Sequence, residues 1–459
     1  MNWLTMNEWV LASIILAYIA LITGIGFYAK KKVKTSTGFF LANRSLGTFS
    51  LTATLTATTI GGSATIVAGG RIFADGLPAL WYDLGGIIGL FLLSVSMAKL
   101  VRKTNCYTLP DIINTLYDQK TRHIAAILII ITEIAWVALL IQAAGLILSV
   151  IIPVDTTLLL IGITIAFILY TIIGGQFAVV YTDIIQFLIM IIGICFIATP
   201  LLLNQSAPYW SLLSSSQLSF PINENIGFLS AGSILFMMMM PHIVGPDIYA
   251  KILSAKNEKS ARNATLLSAF FKLVFAIAIA LIALSAALIP SIQNQITTPA
   301  LAIPLALSTL PVFFAGIVLA AFLSVMISSA DSCLLSAGTI LSVDIFKNKS
   351  IRLSQIGIIF VGLCALLLAM YHNLLGSILD TLELAYSVFT AGLTLPVIFG
   401  LYKKQTKVTT KGAFYSIILG GSISIIILQI PSVKTYAVLI GLIASLFPLL
   451  VFRHDPNYH

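Results

Sequence analysis

The residues best suited to chemistry lie in 324–347, SVMISSADSCLLSAGTILSVDIFK. Ser324, Ser328 and Ser332 recur at every fourth position, and Asp331 follows Ser328 by three. On a helix these four side chains share one face. A carboxylate facing lipid is costly, so this face looks into protein or a water-filled cavity. A stripe of hard oxygen donors around one negative charge suits a small hard cation. Membrane serines alone more often bond to the preceding turn or join helices. Asp331 is what tips the stripe toward cation binding.

The elements that must position this stripe are membrane helices. Of 459 residues, 59% are hydrophobic and 9% charged, which fits an all-α polytopic membrane protein rather than a soluble domain. The net charge of +9 falls in short clusters between apolar runs, so no nucleic-acid partner is expected. Cys106, Cys195, Cys333 and Cys364 match no metal spacing and read as free thiols. No catalytic pair or metal motif appears, so an enzyme is not expected.

Thirteen apolar runs are long enough to span a bilayer: 7–29, 46–71, 77–100, 123–152, 157–174, 177–203, 227–253, 263–290, 311–344, 353–371, 376–402, 412–430 and 435–452. The first is followed by Lys30, Lys31, Lys32 and Lys34 without a cleavage pattern, and reads as a retained span. With the N-terminus outside and the C-terminus cytoplasmic, 22 of the 25 basic residues fall in inside loops and flanks, Lys251 among them. Arg71, Lys272 and Lys434 are left over. The stretch 204–225 carries no Lys or Arg and reads as an outer loop, and 298–309 as a short outer helix. The tail 453–459 offers nothing to read.

Two spans are interrupted. The second reads LTATLTATTIGGSATIVAGG, rich in poor helix formers. The seventh reads FLSAGSILFMMMMPHIVGPDIY, with Pro241, Gly245 and Pro246 in its path. Broken helices in corresponding positions of two halves point to a secondary transporter with a site at mid-membrane. Spans two to six and seven to eleven then form five-plus-five inverted repeats, 46–203 and 227–402. A leading helix, 7–29, precedes them, and two trailing helices, 412–452, follow. The solute pocket is expected between the two breaks, lined by Thr59, Gly61, Ser63, Asp83, Trp136, Phe236 and Met239. Glu133 shares a helix face with Trp136. If Glu133 or Asp83 reaches the pocket, a cationic or zwitterionic solute is favoured; if neither does, a neutral or anionic one. Asp183, in GGQFAVVYTDIIQF, either caps the sixth span or partners the serine stripe, in one region with Asp331. His242 reads as a satisfied polar residue.

GGQFAVVYTDIIQF at 174–187 and AAFLSVMISSADSCLLSAGTILSVDIFK at 320–347 resemble motifs of the sodium/solute symporter family. ATTIGG at 57–62 and GPDIYAKILSAKNEKSAR at 245–262 fit as well. The resemblance covers nearly the whole chain. It implies a sodium ion held by the carbonyls of Ala57, Ile60 and Val325 and the hydroxyls of Ser328 and Ser329. A second cation arrangement seen in some members would involve Asp183, Ser328, Asp331 and Ser332, with sodium or a proton. TEIAWVALLIQAAGLILSVIIPVD at 132–155 is most similar to the high-affinity choline transporters. Trp136 matches one cage aromatic, while Thr59 and Gly245 stand where two further tryptophans would be.

The expected function is therefore sodium-coupled import of a small organic solute by alternating access, in a bacterial-type inner membrane. Alternatives are transport of a choline- or betaine-like solute or an amino acid with proton coupling, or a membrane sensor on the transporter fold. The solute, the ion stoichiometry and the oligomeric state are not legible.

Overall fold

A computed structural model of the chain describes residues 6–150, 154–371 and 377–453. The expected end of the fourth span at 152, the start of the eleventh at 376 and the tail beyond 453 lie outside the described residues. Among the described residues, eleven helices are long and apolar enough to cross a membrane. The pair Thr48–Thr59 and Ser63–Asp75, bent by 59°, forms a further span.

One of the eleven, Thr156–Leu212, has 57 residues. As a single helix it would extend about 85 Å, far more than the hydrocarbon core. It turns back at Gly175, whose φ of 53° and ψ of −149° leave the helical region. Both arms start level with the end of the first span, Met6–Lys30. A Cβ on Gly174 would lie 3.3 Å from the Gly26 carbonyl oxygen. On one arm Ile172 and Ile168 pack beside Gln355 and Gly362 of the span Ile351–Met370. On the other, Gln186 Nε2 donates to Tyr18 Oη at 3.1 Å, further along the first span. A side chain at Gly175 would meet the Phe39 carbonyl oxygen at 2.5 Å, so only glycine fits this reversal. With the fold-back and the bent pair, the spans number thirteen, in a five-plus-five inverted-repeat transporter fold.

The loops segregate by charge. Arg44 donates to the Asn105 and Cys106 carbonyls at 2.6 and 3.0 Å. Arg102 Nε donates to the Ala255 carbonyl at 2.6 Å, and Lys403 to that of Leu116 at 2.8 Å. Lys349 lies 4.0 Å over the Tyr107 ring. These contacts gather the basic loops at one end of the bundle. At the other end, Trp81 Nε1 donates to the Pro221 carbonyl at 2.9 Å and Lys434 pairs with Asp380 at 2.9 Å. The expected short helix is Pro299–Ser308, packed on Gly70.

Two lysines depart from this pattern. Lys251, expected in an inside flank, and Lys272 are both buried, at 1% exposure each. Each has an acid from another span nearby, Asp183 and Asp83 respectively, which is what allows an ammonium to sit away from water.

Candidate functional site

The second span breaks because Ile60, with φ −101° and ψ 75°, cannot continue the helix, and Gly61 and Gly62 follow. A half-helix that stops at Thr59 leaves its last carbonyls without amides from the next turn. Two side chains take their place. Ser329 Oγ donates to the Thr58 carbonyl at 3.0 Å, and Lys272 Nζ to the Thr59 carbonyl at 2.6 Å. The seventh span breaks at Gly245, between Phe228–Val244 and Pro246–Leu253. Pro246 opens the second piece at its first position, where a missing amide costs nothing.

The serine stripe sits on Val312–Ile340 and its members face different neighbours. Ser324 donates to Tyr18 Oη at 2.9 Å of the first span. Ser328 donates to Asp183 Oδ1 at 2.6 Å. Ser332 and Thr58 share a hydroxyl contact of 3.0 Å. The ninth span is therefore sutured by its hydroxyls to the first, second and sixth. Ala57, Ile60 and Val325 are all buried, and Ser329 borders the break.

Asp183 is fully buried and collects partners from three spans: Ser328, the Thr54 hydroxyl and, at 3.5 Å, Lys251 Nζ. Asp331 is also fully buried. Its only hydrogen bond among the described residues is a long one from Ser332, 3.5 Å to Oδ1, and Oδ2 has none.

A cavity of about 50 Å³ lies at the two breaks, lined by Thr59, Gly61, Ser63 and Trp136 among the expected residues. Asp83, Phe236 and Met239 do not line it. Asp83 instead faces Lys272 at 3.8 Å. Phe236 and Met239 lie on the stretch that packs against the third span, where Gly85 and Gly89 admit the Leu235 and Met239 backbone closely. The seventh span reaches the cavity slightly later in sequence, through Pro241, His242, Asp247 and Ile248. His242 Nδ1 is bonded to the Met238 carbonyl at 2.7 Å.

Trp136 is not a solitary wall. Its ring lies 5.3 Å from that of Tyr386, edge to face, and 5.1 Å from Phe389. Tyr386 Oη and Ser63 Oγ are 3.1 Å apart, which ties the eleventh span to the half-helix beyond the break. Glu133 is buried outside this cavity, and neither of its oxygens has a hydrogen-bond partner among the described residues.

Asp247 and Tyr386 are the residues sequence reasoning missed. For Asp247 a signal existed: an acid directly after Pro246 marks the first turn of a helix. That turn lies within a membrane span, where an acid seeks a cation. Nothing in the run ELAYSVF distinguishes Tyr386 from a packing aromatic. Asp247 also lines a smaller cavity of about 10 Å³ with Lys251 and Ser332, on the side of Tyr107 and Thr108 at the basic end. A third, of about 150 Å³, lies toward the opposite end between Arg71, Tyr82, Glu383 and Lys434.

This geometry has counterparts among known proteins. Over 96% of both chains, the fold matches a substrate-bound, outward-open Na+-coupled sialic acid symporter, with a TM-score of 0.82 at 16% identity. In sequence the chain is 28% identical to the sodium/pantothenate symporter of Escherichia coli strain K12, across 95% of each. It is 24% identical to the sodium/glucose cotransporter of Vibrio parahaemolyticus, across 87% of this chain and 82% of that one. The human high affinity choline transporter 1 is 25% identical, across 72% of this chain and 61% of its own length. These relatives differ in solute, and sodium is named for all of them but the choline transporter. Residues 39–420 match the sodium:solute symporter family, and the chain belongs to that family.

Proposed function

We propose that the protein imports a small organic solute together with sodium, by alternating access around the breaks of the second and seventh spans. The observation that carries this reading is the Ser329 hydroxyl against the Thr58 carbonyl, 3.0 Å away at the break. Sodium bound by the Ala57, Ile60 and Val325 carbonyls and the Ser328 and Ser329 hydroxyls would bind both half-bundles at once. Its binding then favours the arrangement ready for solute, and by linkage solute raises sodium affinity equally.

The solute would occupy the cavity between Gly61, Trp136, Tyr386 and Asp247. At about 50 Å³ that cavity has room for only a few waters, so solute entry requires the surrounding helices to separate. The cavities of about 10 and 150 Å³ on either side are where each path would open. Among the described residues no base pairs with Asp247, because Lys251, one turn later, faces Asp183 instead. An unpaired acid beside two aromatic rings favours a solute bearing a positively charged nitrogen, as a cation or a zwitterion. Glu133 and Asp83 both point away from the cavity, which on their account alone would favour a neutral or anionic solute; Asp247 is the acid that reaches it and reverses that preference.

The basic end would face the cytoplasm, with the N-terminus outside, in a bacterial-type inner membrane. Purified protein in sealed proteoliposomes tests the reading. An inward sodium gradient should drive accumulation of an amine or zwitterion, and collapsing the gradient should abolish it. Uptake indifferent to sodium would discard it in favour of proton coupling or a sensor role.

A further inference from the structure

Asp183 is the meeting point of both broken spans. Thr54 reaches it from Thr48–Thr59, the half-helix before the first break, and Lys251 from Pro246–Leu253, the half-helix after the second. Ser328 completes the group from the ninth span at 2.6 Å. Asp183 is 0% exposed and Lys251 1%, so water does not solvate either charge.

Thr54 and Ser328 both donate their protons to the carboxylate. Each hydroxyl keeps its lone pairs after donating its proton, so this orientation by itself does not bar an ion; what occupies the ion's place is the cation already there. In this cluster the positive charge is supplied by an ammonium, which offers donors of its own and needs no lone pairs from the serine and threonine. The group comprises one carboxylate, two hydroxyl donors and one cation fixed to the chain, with the fully buried Asp331 as a second acid close to both charges.

We propose that Lys251 is the resident cation of this cluster, filling the place where a second sodium ion would otherwise bind. The protein then carries one exchangeable sodium, at the break of the second span. The same helix piece carries Asp247 into the solute cavity one turn earlier, so solute binding at Asp247 bears directly on the Lys251–Asp183 pair. This inference rests on the reading of the protein as a sodium symporter and concerns only how many sodium ions it binds.

The test counts sodium ions by direct binding, without transport. Purified protein is titrated with NaCl at ionic strength held constant with KCl, following thermal stability and calorimetric heat. The unaltered protein should bind about one sodium ion, with a Hill coefficient near one. Lys251→Met should expose Asp183 and raise the count to about two, and the added site should vanish in Lys251→Met/Asp183→Asn. Lys251→Arg keeps the charge and should retain a single site. Two sodium ions in the unaltered protein, one of them lost in Asp183→Asn, would overturn the proposal even if Lys251→Met does not fold. So would a folded Lys251→Met protein with an unchanged count. Absence of any sodium response in the unaltered protein would instead remove the symporter reading beneath it.

Discussion

The Lys272 ammonium lies 2.6 Å from the Thr59 carbonyl oxygen, at the last residue of the half-helix that ends at the second-span break. The carbonyl end of a helix is its negative pole, and a cation there is favourable. Asp83 stands 3.8 Å from the same ammonium, with its second oxygen unbonded among the described residues. Lys272 therefore sets the conformation of the break from a helix outside it. Lys272→Met should destabilise the protein by about 3–5 kcal/mol, because Asp83 becomes an uncompensated buried charge. Lys272→Met/Asp83→Asn should recover part of that loss. Melting of the detergent-solubilised variants checks the order; equal stability of the single and double variants would mean that the pair is not ionic.

Ser329→Ala should weaken apparent sodium affinity by about tenfold or more, as expected when a ligand worth roughly 1.5–3 kcal/mol is lost. Ser328→Ala should do so too, and should also loosen Asp183, whose Oδ1 it serves. Sodium dependence of uptake measures both. Unchanged affinity in the two variants would remove them from the ion site.

Trp136→Ala should raise the solute concentration needed for half-maximal uptake more than the sodium concentration. Tyr386→Phe keeps the ring against Trp136 and removes only the contact with Ser63, so its effect should be smaller. Equal loss of solute and sodium affinity in Trp136→Ala would identify this helix face as packing.

Asp247→Asn should lower affinity for a positively charged solute while leaving sodium-dependent stabilisation in place. Competition uptake with tetramethylammonium, glycine betaine and myo-inositol separates the classes. Retained inhibition by the two charged-nitrogen compounds in the variant would show that the solute does not use Asp247.

Gly175→Ala should impair folding, because φ 53° with ψ −149° is a backbone conformation essentially reserved for glycine, at a cost of about 1–3 kcal/mol for other residues, and a clash with the Phe39 carbonyl adds to it. The fraction of monodisperse protein after extraction reports this. Wild-type yield and stability would mean that the fold-back tolerates a side chain.

The thirteen spans and the two breaks were legible because lipid allows so few backbone solutions. Apolar length gives the helices, and Thr-Gly or Gly-Pro runs mark where they fail. The sequence also pointed to the face joining Ser328 and Asp331, since a period of four is a local property. The partners across the bundle were harder. Lys251 looked like one more basic flank residue because its charge is the same whether it snorkels to a loop or turns inward to Asp183. Asp83 was expected in the pocket, but its direction depends on Lys272, 189 positions later. Phe236 and Met239 were expected between the two breaks, whereas the chain leaves the helix only at Gly245.

At the basic end, Leu46 and Ala255 flank a short parallel bridge. The Leu46 amide donates to the Ser254 carbonyl at 3.1 Å, and the Lys256 amide to the Leu46 carbonyl at 2.8 Å. Arg44 adds a bond to the Leu253 carbonyl at 3.4 Å. These few bonds rivet the start of Thr48–Thr59 to the end of Pro246–Leu253. The two half-helices are thus a single lever with two pivots, one at Ile60–Gly62 and one at Gly245. Tilting either drags the other, so a push delivered at one pivot arrives at both.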